Sequence, residues 1–154
     1  MSDTVESKRD WRRAVVAGCA LGLAVACGKA ALPGATTADL GVARERSPVG
    51  AQVYDMDCVT CHGEKGEGLD VNPPVMGEGA LPVESADVPR ISFHTAQDLF
   101  DYTKAEMPLP EEMVGTLSDE DCWAVTAYLL RGHGRQLPAE GLSAANAKQV
   151  RIDD

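Results

Sequence analysis

The N-terminal part of the chain combines a polar, basic stretch with one continuous apolar run. Residues 1–13 include four basic side chains, and the run from Ala14 to Ala26 contains only apolar residues and glycine. A basic stretch followed by an apolar run of this length is typical of a secretory signal peptide, and a transmembrane helix needs roughly 20 apolar residues. We therefore expect residues 1–26 to be an export signal, with a buried core helix and a retained anchor as alternatives.

Three later segments place apolar residues at helical spacing, within residues 48–61, 97–106 and 118–131. The first follows a Ser-Pro pair, and the last starts at Ser118 before an acidic first turn, both favourable helix starts. Gly132 suits the end of the last helix. Because no segment has a convincing strand pattern, we expect an all-α fold.

The segments outside these helices carry weaker patterns. Residues 27–47 are rich in Ala, Gly, Thr and Pro and indicate a flexible tether. Residues 133–154 show no apolar face and indicate a disordered or loosely packed tail. One compact domain remains, formed by residues 48–132.

The strongest chemical signal is Cys58-Val59-Thr60-Cys61-His62, which has the Cys-x-x-Cys-His pattern of c-type haem attachment. Two thiols at this spacing can each add across a vinyl group of one porphyrin, and the adjacent imidazole can ligate its iron. The porphyrin would also supply apolar surface that a domain of this size lacks. A dithiol redox pair and one half of a zinc site are the alternatives, although neither a βαβ setting nor a second ligand pair is evident.

Two forms of cleavage fit the export signal, both before Cys27. Ala24-Val25-Ala26 is an ordinary small-x-small site, and it directly precedes Cys27-Gly28, which resembles a bacterial lipoprotein box. We expect Cys27 to be lipidated and to become the new N-terminus, with ordinary cleavage as the alternative. The protein would then be periplasmic and tethered to a membrane.

The chain is strongly acidic. Its formal net charge of −10 becomes −11 when residues 1–26, with four basic and three acidic side chains, are removed. Such a surface repels nucleic acid and anionic lipid, and it attracts a protein with a basic docking patch. We therefore expect redox protein partners, no nucleic acid, and membrane association only through a lipid on Cys27.

The segment from Gly50 to Arg131 resembles a class I mono-haem bacterial cytochrome c, and the matching features follow the family's order along the chain. The resemblance implies a small helical domain wrapped around one covalently attached haem. The first helix offers a small residue and an aromatic residue, Gly50 and Tyr54, and the last helix offers the matching pair Val125 and Tyr128. The resemblance implies that these two helices pack together.

The resemblance also implies roles for the residues around the motif. Cys58 and Cys61 would carry one haem c, and His62 would be the proximal ligand of its iron. The carbonyl of Pro73 or Pro74 would accept a hydrogen bond from the proximal imidazole and fix its orientation.

Met107, which precedes a proline in the loop after the second helix, corresponds to the distal iron ligand in this resemblance. Met113 and His94 are the alternative distal ligands, and an open distal site is a further possibility. Cys122, on the apolar stripe of the last helix, is expected to be a packing residue.

With His62 and Met107 both bound to iron, the site would be closed to substrate. We therefore expect an electron-transfer protein and not an enzyme: a periplasmic or membrane-tethered one-electron carrier in respiration. The alternative is a haem-bearing relay subunit of a larger dehydrogenase, reductase or terminal oxidase complex. A haem enzyme or gas sensor would need a vacant distal position.

Overall fold

The computed structural model describes residues 37–84 and 91–153. Within these ranges the chain forms five α-helices and two short 3-10 turns, which are α1 (Thr37–Arg46), α2 (Pro48–Asp57), α3 (Val59–His62), α4 (Ala96–Glu106), a turn at Glu111–Met113, α5 (Asp119–Gly132) and a turn at Ala147–Gln149. No strand forms in the described ranges, where the β-structure consists of one isolated antiparallel bridge between Thr95 and Arg151. The all-α prediction is confirmed.

Helices α2 and α5 cross at the centre of the domain, as the resemblance implied. A β-carbon on Gly50 would lie 2.0 Å from the carbonyl oxygen of Ala124, so only glycine allows this approach. One turn further along α2, the ring of Tyr54 contacts the ring of Tyr128 with centroids 5.4 Å apart. Both tyrosines are buried, and such aromatic pairs stabilise a fold beyond the area that they bury.

The single helix predicted for residues 48–61 is divided at Cys58. The backbone of Cys58 has φ −123° and ψ −34°, outside the helical region, although its N–H still bonds to the carbonyl of Tyr54. The one-turn helix α3 follows and ends at Gly63, whose φ of 82° favours glycine. His62 is therefore the last residue of α3.

Residues 37–46, which we expected to belong to a flexible tether, form helix α1. Leu40 and Ala43 are buried. The guanidinium of Arg44 forms two hydrogen bonds of 2.8 Å to the carboxylate of Asp55 on α2 and lies 5.7 Å from the ring centroid of Tyr128. Helix α1 thus packs on α2 and α5, and this part of the tether prediction is wrong because two buried residues and an ion pair hold the segment.

The expected disordered or loosely packed tail is also wrong for residues 133–153. Ala147 and Ile152 are completely buried. The tail is tied to the start of α4 by backbone hydrogen bonds from Ala96 to Val150 (2.9 Å) and from Ile152 to His94 (2.8 Å). Backbone hydrogen bonds of this kind leave no periodic pattern of apolar residues, so the sequence did not predict that the tail is ordered.

Several expectations concern residues outside the described ranges. The export signal, Cys27 and the first part of the tether belong to residues 1–36. Within residues 37–84 and 91–153, no helix has the length and hydropathy that a membrane crossing requires.

Candidate functional site

The two thiols of the motif lie where α2 passes into α3. Cys58 and Cys61 are free and partly buried. Burial, reinforced by the charge of Asp57, raises the pKa of Cys58 to about 12. A dithiol redox pair depends on a lowered thiol pKa, so the environment of Cys58 disfavours that alternative.

The zinc alternative finds no support in the described chain either. Among those residues, no group of three or more His, Cys, Asp or Glu side chains is arranged to hold a metal ion. Cys122 is fully buried on α5, as expected for a packing residue, and burial raises the pKa of its thiol.

The imidazole of His62 is buried and has a defined orientation. Its Nδ1 atom lies 2.8 Å from the carbonyl oxygen of Pro73. Because a carbonyl oxygen only accepts, Nδ1 carries the proton and donates, which leaves Nε2 as the ring atom with a lone pair for a metal. Of the two prolines considered from the sequence, Pro73 makes this contact.

The loop that follows His62 folds back to place Pro73. The N–H of Gly68 donates to the carbonyl of His62 at 2.8 Å. A β-carbon on Gly68, where φ is 81°, would lie 2.7 Å from the carbonyl oxygen of Asn72. The hydroxyl of Tyr54 donates to the carbonyl of Gly63 at 2.7 Å, which links the loop to the crossing of α2 and α5.

The far end of this loop, residues 73–76, is called the proline segment below. The N–H groups of Val75 and Met76 both donate to the carbonyl of Gly66, at 2.8 and 2.9 Å. Met76 is buried. These contacts hold the proline segment beside the haem motif, so the hydrogen bond at His62 belongs to a fixed backbone structure.

Met107 lies at the C-terminal end of α4, on a different part of the chain from the motif. Its backbone is extended, and its N–H still bonds to the carbonyl of Thr103, at 3.1 Å. The other end of α4 is fixed by a capping box in which Thr95 and Asp98 satisfy each other's backbone N–H groups. The rings of Phe100 and Trp123 stack with centroids 3.8 Å apart and join α4 to α5.

His94 and Met113 are the alternative distal ligands. Both ring nitrogens of His94 are engaged, Nδ1 by Asp153 at 2.9 Å and Nε2 by Ser92 at 3.0 Å, and a metal would have to displace one of them. Met113 lies in the 3-10 turn and is 42% exposed.

Exposed apolar side chains accumulate on two loops. The described chain has seven exposed large apolar residues, and four of them lie on these loops. Leu69 and Val71 follow the motif, and Leu109 and Met113 follow Met107. Val71 is 95% exposed. Exposed apolar surface of this kind indicates a binding site for an apolar group. Two thiols, an oriented imidazole, a thioether and apolar loops together fit a covalently attached haem.

The family model described as Cytochrome c matches residues 49–132. The chain belongs to the cytochrome c family. It is therefore an electron-transfer protein that binds haem c, with iron, through covalent bonds.

Two relatives extend this comparison. Over 85 residues the chain is 35% identical to the thiosulfate dehydrogenase of Stutzerimonas stutzeri (strain A1501). The match covers 52% of this chain and 25% of that protein. The crystal structure of the sulfane dehydrogenase SoxCD from Paracoccus pantotrophus matches with a TM-score of 0.50 and 28% identity, covering 68% of this chain and 52% of that chain. The chain thus spans about a quarter of the first relative and about half of the second.

Sequence reasoning did not single out His133 as part of this region. Its ring lies against the proline segment, with Nε2 3.1 Å from the carbonyl oxygen of Val75. The two residues are far apart in sequence and form no local motif, so only the fold brings them together.

Proposed function

We propose that Cys58 and Cys61 attach one haem c through two thioether bonds and that His62 and Met107 ligate its iron. The observation that carries this proposal is the 2.8 Å hydrogen bond from His62 Nδ1 to the carbonyl oxygen of Pro73. It fixes the tautomer and orientation that a proximal ligand requires, since such histidines donate their other ring N–H to a carbonyl or carboxylate.

When bound, the haem supplies an iron that gains and loses one electron. The residues of this chain would set the conditions for that exchange. A thioether ligand from Met107 favours the reduced state, and the apolar side chains of the two loops keep water away. Because both axial positions would be filled by protein, substrate has no access to iron, which suits a carrier better than a haem enzyme.

The proposed setting is a respiratory electron carrier in the periplasm, tethered to a membrane through a lipid on Cys27. The basic and apolar pattern of residues 1–26 and the box at Cys27 support this location.

The charge pattern supports a partner with a basic docking patch. Residues 105–130 contain six acidic side chains and no lysine or arginine. An acidic surface is the electrostatic complement of a basic docking patch.

A second candidate is an electron relay attached to a dehydrogenase of sulfur compounds. It is favoured by the similarity to the thiosulfate dehydrogenase and to the sulfane dehydrogenase SoxCD, each of which is longer than the matched region. Purification from the native source separates the two: a carrier is recovered alone, whereas a relay is recovered with a stoichiometric partner that reduces it when thiosulfate or a sulfane compound is supplied.

The haem assignment is tested by attachment. Co-expression with a cytochrome c maturation system should give wild-type protein with one haem that resists acid-acetone extraction. Cys58→Ala and Cys61→Ala should each lose one thioether bond and shift the pyridine haemochrome band. The double variant should lose covalent haem, and Cys122→Ala, the matched control, should keep it. Covalent haem in the double variant, or none in the wild type, would refute the assignment.

A further inference from the structure

The end of α5 makes a polar contact with the proline segment. His133 Nε2 lies 3.1 Å from the carbonyl oxygen of Val75, and since the carbonyl only accepts, Nε2 carries the proton and donates. The ring is buried, and burial lowers the pKa of His133, which keeps it neutral. Nδ1 is buried without a hydrogen-bond partner in the described chain, so the contact with Val75 is the one that orients the ring there.

The proline segment is held from two sides. On one side, the carbonyl of Gly66 accepts hydrogen bonds from the N–H groups of Val75 and Met76. On the other side, Met76 packs against the end of α5, where a β-carbon on Gly132 would lie 2.7 Å from Met76 Sδ. The next residue, His133, adds the hydrogen bond on this second side.

Two residues before Val75, Pro73 accepts the hydrogen bond from His62 Nδ1 at 2.8 Å. Because Pro73 and Val75 belong to one short backbone segment, a movement of the Val75 carbonyl also moves the Pro73 carbonyl. The contact at His133 is therefore linked to the contact at His62 through three consecutive residues.

We propose that His133 is a positioning residue for the proximal iron ligand: by holding the Val75 carbonyl, it fixes the Pro73 carbonyl against His62 and so helps to set the reduction potential. The inference rests on the proposed role of His62 as iron ligand. His133 lies immediately beyond residues 49–132, which the family model matches, whereas Val75 lies within them.

The direction of the effect follows from the chemistry of the ligand. Donation from Nδ1 to a carbonyl makes the imidazole a stronger base, which stabilises oxidised iron relative to reduced iron. Loss of the His133 contact loosens the proline segment and weakens this donation. The reduction potential should then rise.

The experiment compares two amide substitutions at His133 in the holoprotein. His133→Gln keeps an N–H donor near the position of Nε2, whereas the shorter amide of His133→Asn cannot reach the Val75 carbonyl. For the Asn variant we expect the ratio of reduced to oxidised protein at fixed ambient potential to rise about two- to tenfold, at most about 59 mV for a one-electron couple. The Gln variant should stay close to the wild type.

The same substitutions at His94 are the matched control, since that ring bonds to Ser92 and Asp153 and not to the proline segment. Neither should change the potential. In the reduced protein, the Nδ1 proton resonance of His62 should move upfield in His133→Asn and remain in place in the other variants, which reports the linkage independently of electron-transfer activity.

The proposal is overturned if the Asn and Gln variants at His133 have the same potential, if the His94 pair shifts it equally, or if the His62 resonance does not move. If the Asn variant does not fold, proton exchange in the wild type decides: the Nε2 proton of His133 should be as protected as the Nδ1 proton of His62, and fast exchange at His133 rejects the idea. Failure of the haem assignment is distinguishable, because it would leave the wild type without covalent haem.

Discussion

Gly50 approaches Ala124 so closely that a β-carbon on Gly50 would lie 2.0 Å from the carbonyl oxygen of Ala124. The obstacle is backbone, so the neighbour cannot turn aside as a flexible side chain could. This contact sets the distance between α2, which leads into the haem motif, and α5, which holds the proline segment.

Gly50→Ala should therefore destabilise the protein although alanine is the better helix former. Overpacking of a tight contact costs about 1–3 kcal/mol, and the severity of this clash places the loss in the free energy of unfolding at the upper end or beyond. Denaturant titration measures it. Gly41→Ala is the matched control, because Gly41 lies in α1 with nothing within 4 Å of its β-carbon position, and this substitution should stabilise by about 0.5–1 kcal/mol. Equal effects at both glycines would contradict the packing described.

The ion pair between Arg44 and Asp55 should contribute modestly, since the two side chains are 41% and 47% exposed. A double-mutant cycle should give a coupling free energy of about 0.2–1 kcal/mol at neutral pH, smaller at high salt. The hydrogen bond from Arg44 holds the pKa of Asp55 below its ordinary value.

The sign of the pH dependence follows from that lowered pKa. The pair's contribution is fully present above the unfolded-state pKa of about 3.9 and is lost as the pH falls through the lower pKa of folded Asp55. A coupling that grows on acidification would contradict the lowered pKa of Asp55, and a coupling that is absent at neutral pH and low salt would show that other contacts hold α1.

Ile152 tests whether the tail is part of the fold. It is completely buried, so Ile152→Ala should lower the free energy of unfolding by about 2–5 kcal/mol. Val49→Ala is the control, because Val49 is 54% exposed and surface substitutions usually change stability by no more than about 0.5 kcal/mol. If both variants unfold at the same denaturant concentration, the tail is loosely packed after all.

Local chemistry made much of the fold predictable. Ser118 caps α5 as expected, since its side chain accepts from the N–H of Asp121 at 3.1 Å. The resemblance to class I cytochromes c, carried in part by Gly50 and Tyr54 ahead of the motif, implied the helix crossing. The thiols and the imidazole were evident because attachment chemistry requires two cysteines and one histidine at fixed short intervals.

The remaining features depend on partners distant in sequence. Among the α1 side chains that the structure describes, the buried apolar ones are Leu40 and Ala43, too few for a recognisable apolar face. The tail is ordered by backbone bonds to His94 and Ala96, which side-chain patterns do not encode. The contact between His133 and Val75 joins residues 58 apart, and no local rule connects them.

His62 and Met107 are proposed to bind the iron of one haem together, and the absorption spectrum of the oxidised protein in the far red reports this ligation directly. The wild type should show the weak iron–sulfur charge-transfer band of methionine ligation. Met107→Ala should lose it and bind carbon monoxide rapidly when reduced, whereas Met113→Ala, a methionine six residues further along, should keep the band and exclude carbon monoxide. A band that survives in Met107→Ala, or that is missing from the wild type, would exclude Met107 as the distal ligand.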